Sequence, residues 1–115
     1  MIVRAWKAQA LSQNVDAYAR HFREAVLPEL EEISGHIGAY LLRRDAGTHV
    51  ELVVLTLWES MDAVKRFSGT PPERAVVEPA AEAVLERFDE TVQHFEIVHS
   101  TVLQPESGGL DAHTA

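Results

Sequence analysis

The chain has no cysteine, which removes disulfides, thiolate nucleophiles and thiolate metal sites from consideration. Basic residues are scarce. Ten Lys and Arg stand against 18 Asp and Glu, the formal net charge is -8, and no run of Lys or Arg occurs. A polyanionic partner needs the opposite balance, so nucleic acid and an anionic membrane surface are excluded as partners. No apolar run approaches the ~20 residues of a membrane span. The opening MIVRAWKA lacks the apolar core of a secretion signal, so a cytoplasmic location is expected. GxSxG, HExxH and glycine-rich phosphate motifs are all missing. The six histidines include no pair at i, i+4 or short-loop spacing, and His94 and His99 lie on one expected strand. No metal site is expected.

What is present fits one domain. A chain of 115 residues with 46% hydrophobic and 24% charged residues has the make-up of a soluble globular protein with a single core. Ile2–Ala10 alternates as a strand. Val15, Tyr18, Phe22, Val26, Leu30 and Ile33 then step by three or four, which predicts an amphipathic helix. Pro28 falls inside that helix and predicts a kink near Ala25–Leu27, with a stop at Gly35. Gly38–Arg44 and His49–Glu59 read as a hairpin joined through Asp45–Thr48. Ser60 is placed to cap a helix over Met61–Ser68. Ala80–Asp89 reads as another helix and Thr91–Ser100 as the closing strand. The order is β-α-β-β-α-β, a ferredoxin-like α+β arrangement with a four-stranded antiparallel sheet and its helices on one face. The domain is expected to span 1–103, followed by a disordered tail over 104–115, where Gly, Pro and polar residues have nothing to bury.

The stretch LVVLTLWES, Leu52–Ser60, is apolar on both faces when read as a strand. Helices cover only one face of such a sheet. Leaving three or four aliphatic side chains of the other face in water forfeits roughly 1.5–3 kcal/mol each, a sum comparable with the roughly 5–15 kcal/mol stability of a domain. A second copy of the sheet, packed face to face in a homodimer, is the expected cover.

Taken in order, IVRAW, PELEEISGHIGAYLLRR, LTLWES, MDAVKRF and HFEIV resemble the antibiotic biosynthesis monooxygenase domains of the dimeric α+β barrel superfamily. The resemblance runs from about Met1 to His99, and Trp58-Glu59-Ser60 at a strand-to-helix junction is its most telling piece. It implies a ferredoxin-like dimer and a pocket between sheet and helices. It also implies an activity such as cofactor-independent monooxygenation of a small aromatic or quinol. The rival from another class is a non-catalytic small-molecule-binding or interaction domain on the same scaffold. The haem-degrading branch of the superfamily carries a second Trp and a histidine ligand where this chain has Phe67 and Val77, so no haem is expected and the cofactor reading is none.

Candidate site residues follow from the topology. First and last strands are neighbours, which brings Arg4 or Trp6 close to His94. An imidazole titrates near neutrality and is suited to take a proton from a phenol or hydroquinone. His94 is therefore the candidate base, with Arg4 to steady an oxyanion. Trp6, Trp58 and Phe67 are candidate walls for a flat substrate. His36, between a helix stop and a strand, and His21, on the flank of the first helix, complete the candidate substrate-binding set. For each, core packing or a solvated side chain is the plainer use, and the acidic residues Glu29, Glu31, Glu32, Glu73 and Glu78 read as solvated faces.

Overall fold

Strand β1 (Ile2–Leu11) organises the sheet by pairing on both of its edges. One edge is matched along its whole length by β3 (His49–Trp58), from Ile2 opposite Trp58 to Leu11 opposite His49. Strand β3 in turn pairs with β2 (His36–Ala46), and the hairpin closes through Gly47, whose φ of 81° lies in the left-handed region that glycine enters without strain. The other edge of β1 is shared by β4 (Arg87–Phe88) at Ala8–Gln9 and β5 (Gln93–Glu96) at Ile2–Ala5. The computed structural model describes residues 1–101, so the expected tail over 104–115 and the domain end at 103 lie outside the described residues. The antiparallel sheet with helices on one face is the ferredoxin-like α+β arrangement that the sequence predicts. Among the described residues, no helix is long and apolar enough to cross a membrane.

The first helical segment is built as the apolar stripe requires. It comprises α1 (Val15–His21), a π-helical turn over Phe22–Val26 and α2 (Leu27–Glu31). Val15, Tyr18, Phe22 and Leu30 are buried against the sheet. Pro28 lacks an amide and its ring crowds the preceding turn; widening the ladder to a π turn just ahead of it accommodates both, where the sequence predicts a kink. Helix α3 (Met61–Ser68) starts as expected, with Ser60 Oγ accepting from the Ala63 amide at 3.2 Å.

The expected second long helix is not formed. Only α4 (Pro79–Glu82) is helical, and Arg87–Phe88 is strand rather than helix. The competing partner is the free edge of β1. The Glu86 amide donates to Gln9 O at 2.8 Å and the Asp89 amide to Lys7 O at 3.0 Å, bonds that a continuing helix would forgo. The closing strand is likewise shorter than Thr91–Ser100. Its first residues are diverted to the 70–78 segment, with Arg74 bridging Thr91 and the Val92 amide donating to Glu73 O at 2.8 Å.

The two faces of the sheet differ as the strand pattern demands. Toward the helices, Val50, Leu52, Val54, Thr56 and Trp58 are all buried. On the opposite face, the register aligns Phe95, Val3 and Leu57, then Ala5, Leu55 and Tyr40, then Val53 and Leu42. Tyr40, Leu42 and Phe95 are exposed there, at 57%, 44% and 54%. The hairpin end of this face is polar, with Gln9, Glu51 and Arg44 in one row and Arg44 Nε donating to Glu51 at 2.8 Å.

Gly35 joins the helices to the sheet. Its φ is 95°, and a Cβ here would overlap Cβ of the fully buried Ala63 on α3. Both left-handed strain and overpacking act at this position, so Gly35→Ala is expected to lower stability by about 2–4 kcal/mol. Urea denaturation of the variant beside the wild type measures this.

Candidate functional site

Two polar side chains are buried on the helix-facing side of the sheet: Arg4 on β1 and Thr56 on β3, 4% and 5% exposed and directly opposite each other in register. They open on a cavity of about 70 Å³ between the sheet, the α1–α2 segment and the 76–81 stretch. Trp6, Tyr18, Phe22, Val54 and Phe67 supply its apolar and aromatic wall, and His21, Glu29 and Glu78 its remaining polar groups.

Arg4 is the centre of a hydrogen-bond hub. Its Nη1 donates to Pro72 O at 2.6 Å and its Nη2 to Arg74 O at 2.9 Å, tying the chain that follows α3 to β1. Nη1 also lies 3.1 Å from His94 Nε2, and a guanidinium has only donors, so His94 accepts and carries its proton on Nδ1. The guanidinium carbon sits 5.6 Å from the centroid of Phe67, in cation–π contact. Among the described residues, no carboxylate reaches Arg4 at salt-bridge distance. Burial pulls its pKa down to about 10, against the nearby Glu73 carboxylate, so it stays cationic at neutral pH. Burial and the Arg4 charge both push the His94 pKa below its ordinary 6.5, with Glu73 opposing.

A second polar cluster lies on the helix side. His21 Nε2 is 3.2 Å from Glu78 Oε1, but the pair is out of line for a hydrogen bond, and both atoms are buried without a hydrogen-bond partner. The neighbouring Tyr18 phenol, its ring 6.1 Å from that of His21, is pushed up to about 12 by burial and by the Glu78 charge. Orphaned buried polar atoms are rare in native structures, and a site for a ligand or water explains them.

Of the residues singled out from sequence, Arg4, Trp6, His21 and Phe67 line the cavity. Trp6 also donates from Nε1 to Asp89 O at 2.8 Å. His94 stands behind Arg4 and is not part of the lining. Trp58 and His36 are also outside it. Trp58 is fully buried, stacked on Phe67 at 5.8 Å and donating from Nε1 to Thr56 Oγ1 at 2.8 Å. His36 packs edge-on against Trp58 at 5.0 Å, with Nε2 buried and without a hydrogen bond. Sequence reasoning passed over Tyr18, Thr56 and Glu78. Thr56 carried a signal, being the one polar member of the Leu52, Val54, Thr56, Trp58 face. Glu78 carried none beyond preceding Pro79. Among the described residues, no group of three or more His, Asp or Glu side chains is placed to hold a metal ion.

The fold is shared with solved proteins of low sequence identity. A candidate antibiotic biosynthesis monooxygenase from Bacillus cereus superposes with a TM-score of 0.64 at 16% identity, covering 89% of this chain and 97% of that one. The haem degrader MhuD of Mycobacterium tuberculosis, solved with two haems in its active site, gives 0.57 at 21%, covering 89% of this chain and 100% of its own. The Streptomyces coelicolor monooxygenase ActVA-Orf6, solved with nanaomycin D, gives 0.59 at 17%, covering 90% and 91%. No curated protein sequence gives a significant match. These likenesses show a ferredoxin-like α+β fold. The family model for antibiotic biosynthesis monooxygenase matches residues 1–79, and the chain belongs to that family.

The depressed His94 pKa has a consequence for stability. The unfolded chain takes up this proton near the ordinary 6.5, while the folded chain resists it until lower pH. The contribution is therefore present above about pH 6.5 and is lost as pH falls from there through the folded value; His36, depressed chiefly by burial, acts with the same sign. Thermal melts at about pH 7 and about pH 5 are expected to show a smaller acid loss of Tm for His94→Gln than for the wild type.

Proposed function

We propose that this family member is a cofactor-independent monooxygenase of a small hydroxylated aromatic ring. The observation that carries the reading is the buried Arg4 guanidinium, without a carboxylate partner, facing an aromatic-lined cavity. A fixed cation in a low-dielectric wall favours an aryl oxide over the neutral phenol. The orphaned His21–Glu78 pair is suited to receive the phenolic proton. An electron-rich aryl oxide reacts with dioxygen at a ring carbon; loss of water from the resulting hydroperoxide leaves a quinone, and the ring itself supplies all the electrons. His94, first read from sequence as the base, offers its free lone pair to Arg4 and is assigned here to hold that residue in place.

A haem does not suit these residues. Phe67 and Val77 stand where the haem-degrading pattern has Trp and His, both side chains line the cavity, and its volume is about 70 Å³. Typical small-molecule sites enclose about 300–1,000 Å³. A single small ring is therefore the largest substrate that this reading assigns to the cavity. The same small volume favours the second reading, a small-molecule-binding domain in which Trp6, Tyr18, Phe22 and Phe67 act chiefly as packing.

Oxygen uptake with a panel of mono- and bicyclic hydroquinones, using protein without added metal, flavin or haem, separates the two. His21→Gln is expected to lower turnover by roughly 10²–10⁴-fold, the usual worth of a general base. His94→Gln is expected to lower it by about tenfold or less. Undiminished turnover in the His21 variant returns the base to His94 or His36. Failure of every ring tried leaves the binding-domain reading.

The assembly proposed is a homodimer through the open sheet face. The apolar rows around Leu55, Tyr40, Leu42 and Phe95 support it, since an exposed patch of this kind marks an association surface. The expected interface buries on the order of 1,500 Å² in total. Sedimentation at micromolar concentration is expected to give a dimer for the wild type and a monomer for Leu55→Arg. A monomeric wild type rejects the dimer.

A further inference from the structure

Thr56 carries an unfilled hydrogen-bond role at the cavity. A threonine hydroxyl has one donor hydrogen and two acceptor lone pairs. The Trp58 indole, which can only donate, takes one of those lone pairs at 2.8 Å. No hydrogen bond from the Thr56 hydroxyl itself is formed among the described residues, although the residue is only 5% exposed and lines the cavity. Directly across the strand pair stands Arg4, also buried and also lining the cavity. Opposed residues on antiparallel strands have Cβ atoms about 5 Å apart, so both side chains start from the same part of the cavity wall.

We propose that Thr56 binds the substrate's ring oxygen together with Arg4, and that this pair selects an oxygen acceptor over an N–H donor. The inference rests on the aryl-oxide reading above and names the groups that recognise the oxide. A ring oxygen in this position accepts from the Thr56 hydroxyl and from Arg4. A ring amine in the same position brings N–H groups toward the Arg4 cation, which has no lone pair to accept them. The selectivity therefore originates in the donor-only guanidinium, with the Thr56 hydroxyl adding a second donor.

Two probes of nearly identical shape test this. Pentafluorophenol, ionised at neutral pH, presents an oxide; pentafluoroaniline presents an amine. Both are titrated against the full chain by ¹⁹F NMR. The wild type is expected to bind the phenolate at least about tenfold more tightly than the aniline, the scale of a hydrogen bond to a charged group. Thr56→Val is expected to lose phenolate affinity by roughly tenfold to a hundredfold, and Thr56→Ser to restore it. Trp58→Phe is expected to keep both phenolate binding and the preference, because Arg4 and the Thr56 hydroxyl are both retained. Thr56→Val leaves the Trp58 N–H without an acceptor. If that variant fails to fold, the Thr56→Val/Trp58→Phe double variant carries the same expectation without the orphaned indole. Unchanged affinity and preference on loss of the Thr56 hydroxyl overturns the proposal, as does a wild type that binds no phenolate. Thr56-dependent phenolate binding without oxygen uptake upholds the proposal and removes the oxygenase reading; Thr56-independent binding with oxygen uptake does the reverse.

Discussion

The burial of one guanidinium shapes the site. Arg4 is 4% exposed on the central strand, and a desolvated charge persists in a protein only where hydrogen bonds replace its water. Here the replacements are the carbonyls of Pro72 and Arg74 and the ring of His94. The two carbonyls belong to the segment that leaves α3, so satisfying the charge also ties that segment to the central strand. His94 comes from β5, and its contact with Arg4 follows from the antiparallel register that sets the two residues opposite each other. The β5 contact with β1, the anchoring of the segment after α3 and the charge in the cavity wall thus meet at the same side chain.

The strand Leu52–Trp58 imposes the second constraint. Its even positions are sealed by the helices, with Leu52, Val54, Thr56 and Trp58 all buried. Its odd positions, Val53, Leu55 and Leu57, are only half-covered within one chain and sit in register with exposed Tyr40 and Leu42. The alternation of period 2 makes this separation unavoidable, since a shift of one residue would exchange the two sets. One strand therefore supplies both a cavity floor and an unfilled apolar surface, and a substitution on one set leaves the other in place.

How much of this was legible depended on whether a residue's fate was decided locally. The strands β1 to β3, the kinked helix and the Ser60 cap follow from periodicity, from Pro28 and from a capping oxygen, all readable within a few positions. The Arg4–His94 contact was legible for a different reason: neighbouring first and last strands leave few registers. The stretch Ala80–Asp89 was not legible as strand. Its alanines and leucine favour helix, yet the unpaired carbonyls of Lys7 and Gln9, some 80 residues away along the chain, claim its amides. Trp58 was read as a cavity wall because it is aromatic, and His36 as a substrate-binding residue because it lies between a helix stop and a strand. Their neighbours decided otherwise, since Trp58 is sealed between Phe67 and His36. Glu78 read as solvated, and only the fold brings it to His21.

The hydrogen-bond inventory of Arg4 connects the cavity cover with ligand recognition. A guanidinium has five N–H donors, and three are engaged here, by Pro72 O, Arg74 O and His94 Nε2. Among the described residues, the Nε hydrogen and one Nη2 hydrogen remain free, as does the Thr56 hydroxyl hydrogen. A ring oxygen bound as proposed would draw on these donors and leave the bonds to Pro72 O and Arg74 O intact. A lysine at position 4 would keep the charge but offer three donors from a single nitrogen, too few and too narrowly placed to serve the cover, His94 and a ligand together. The sheet thus needs an arginine there for its geometry at least as much as for its charge.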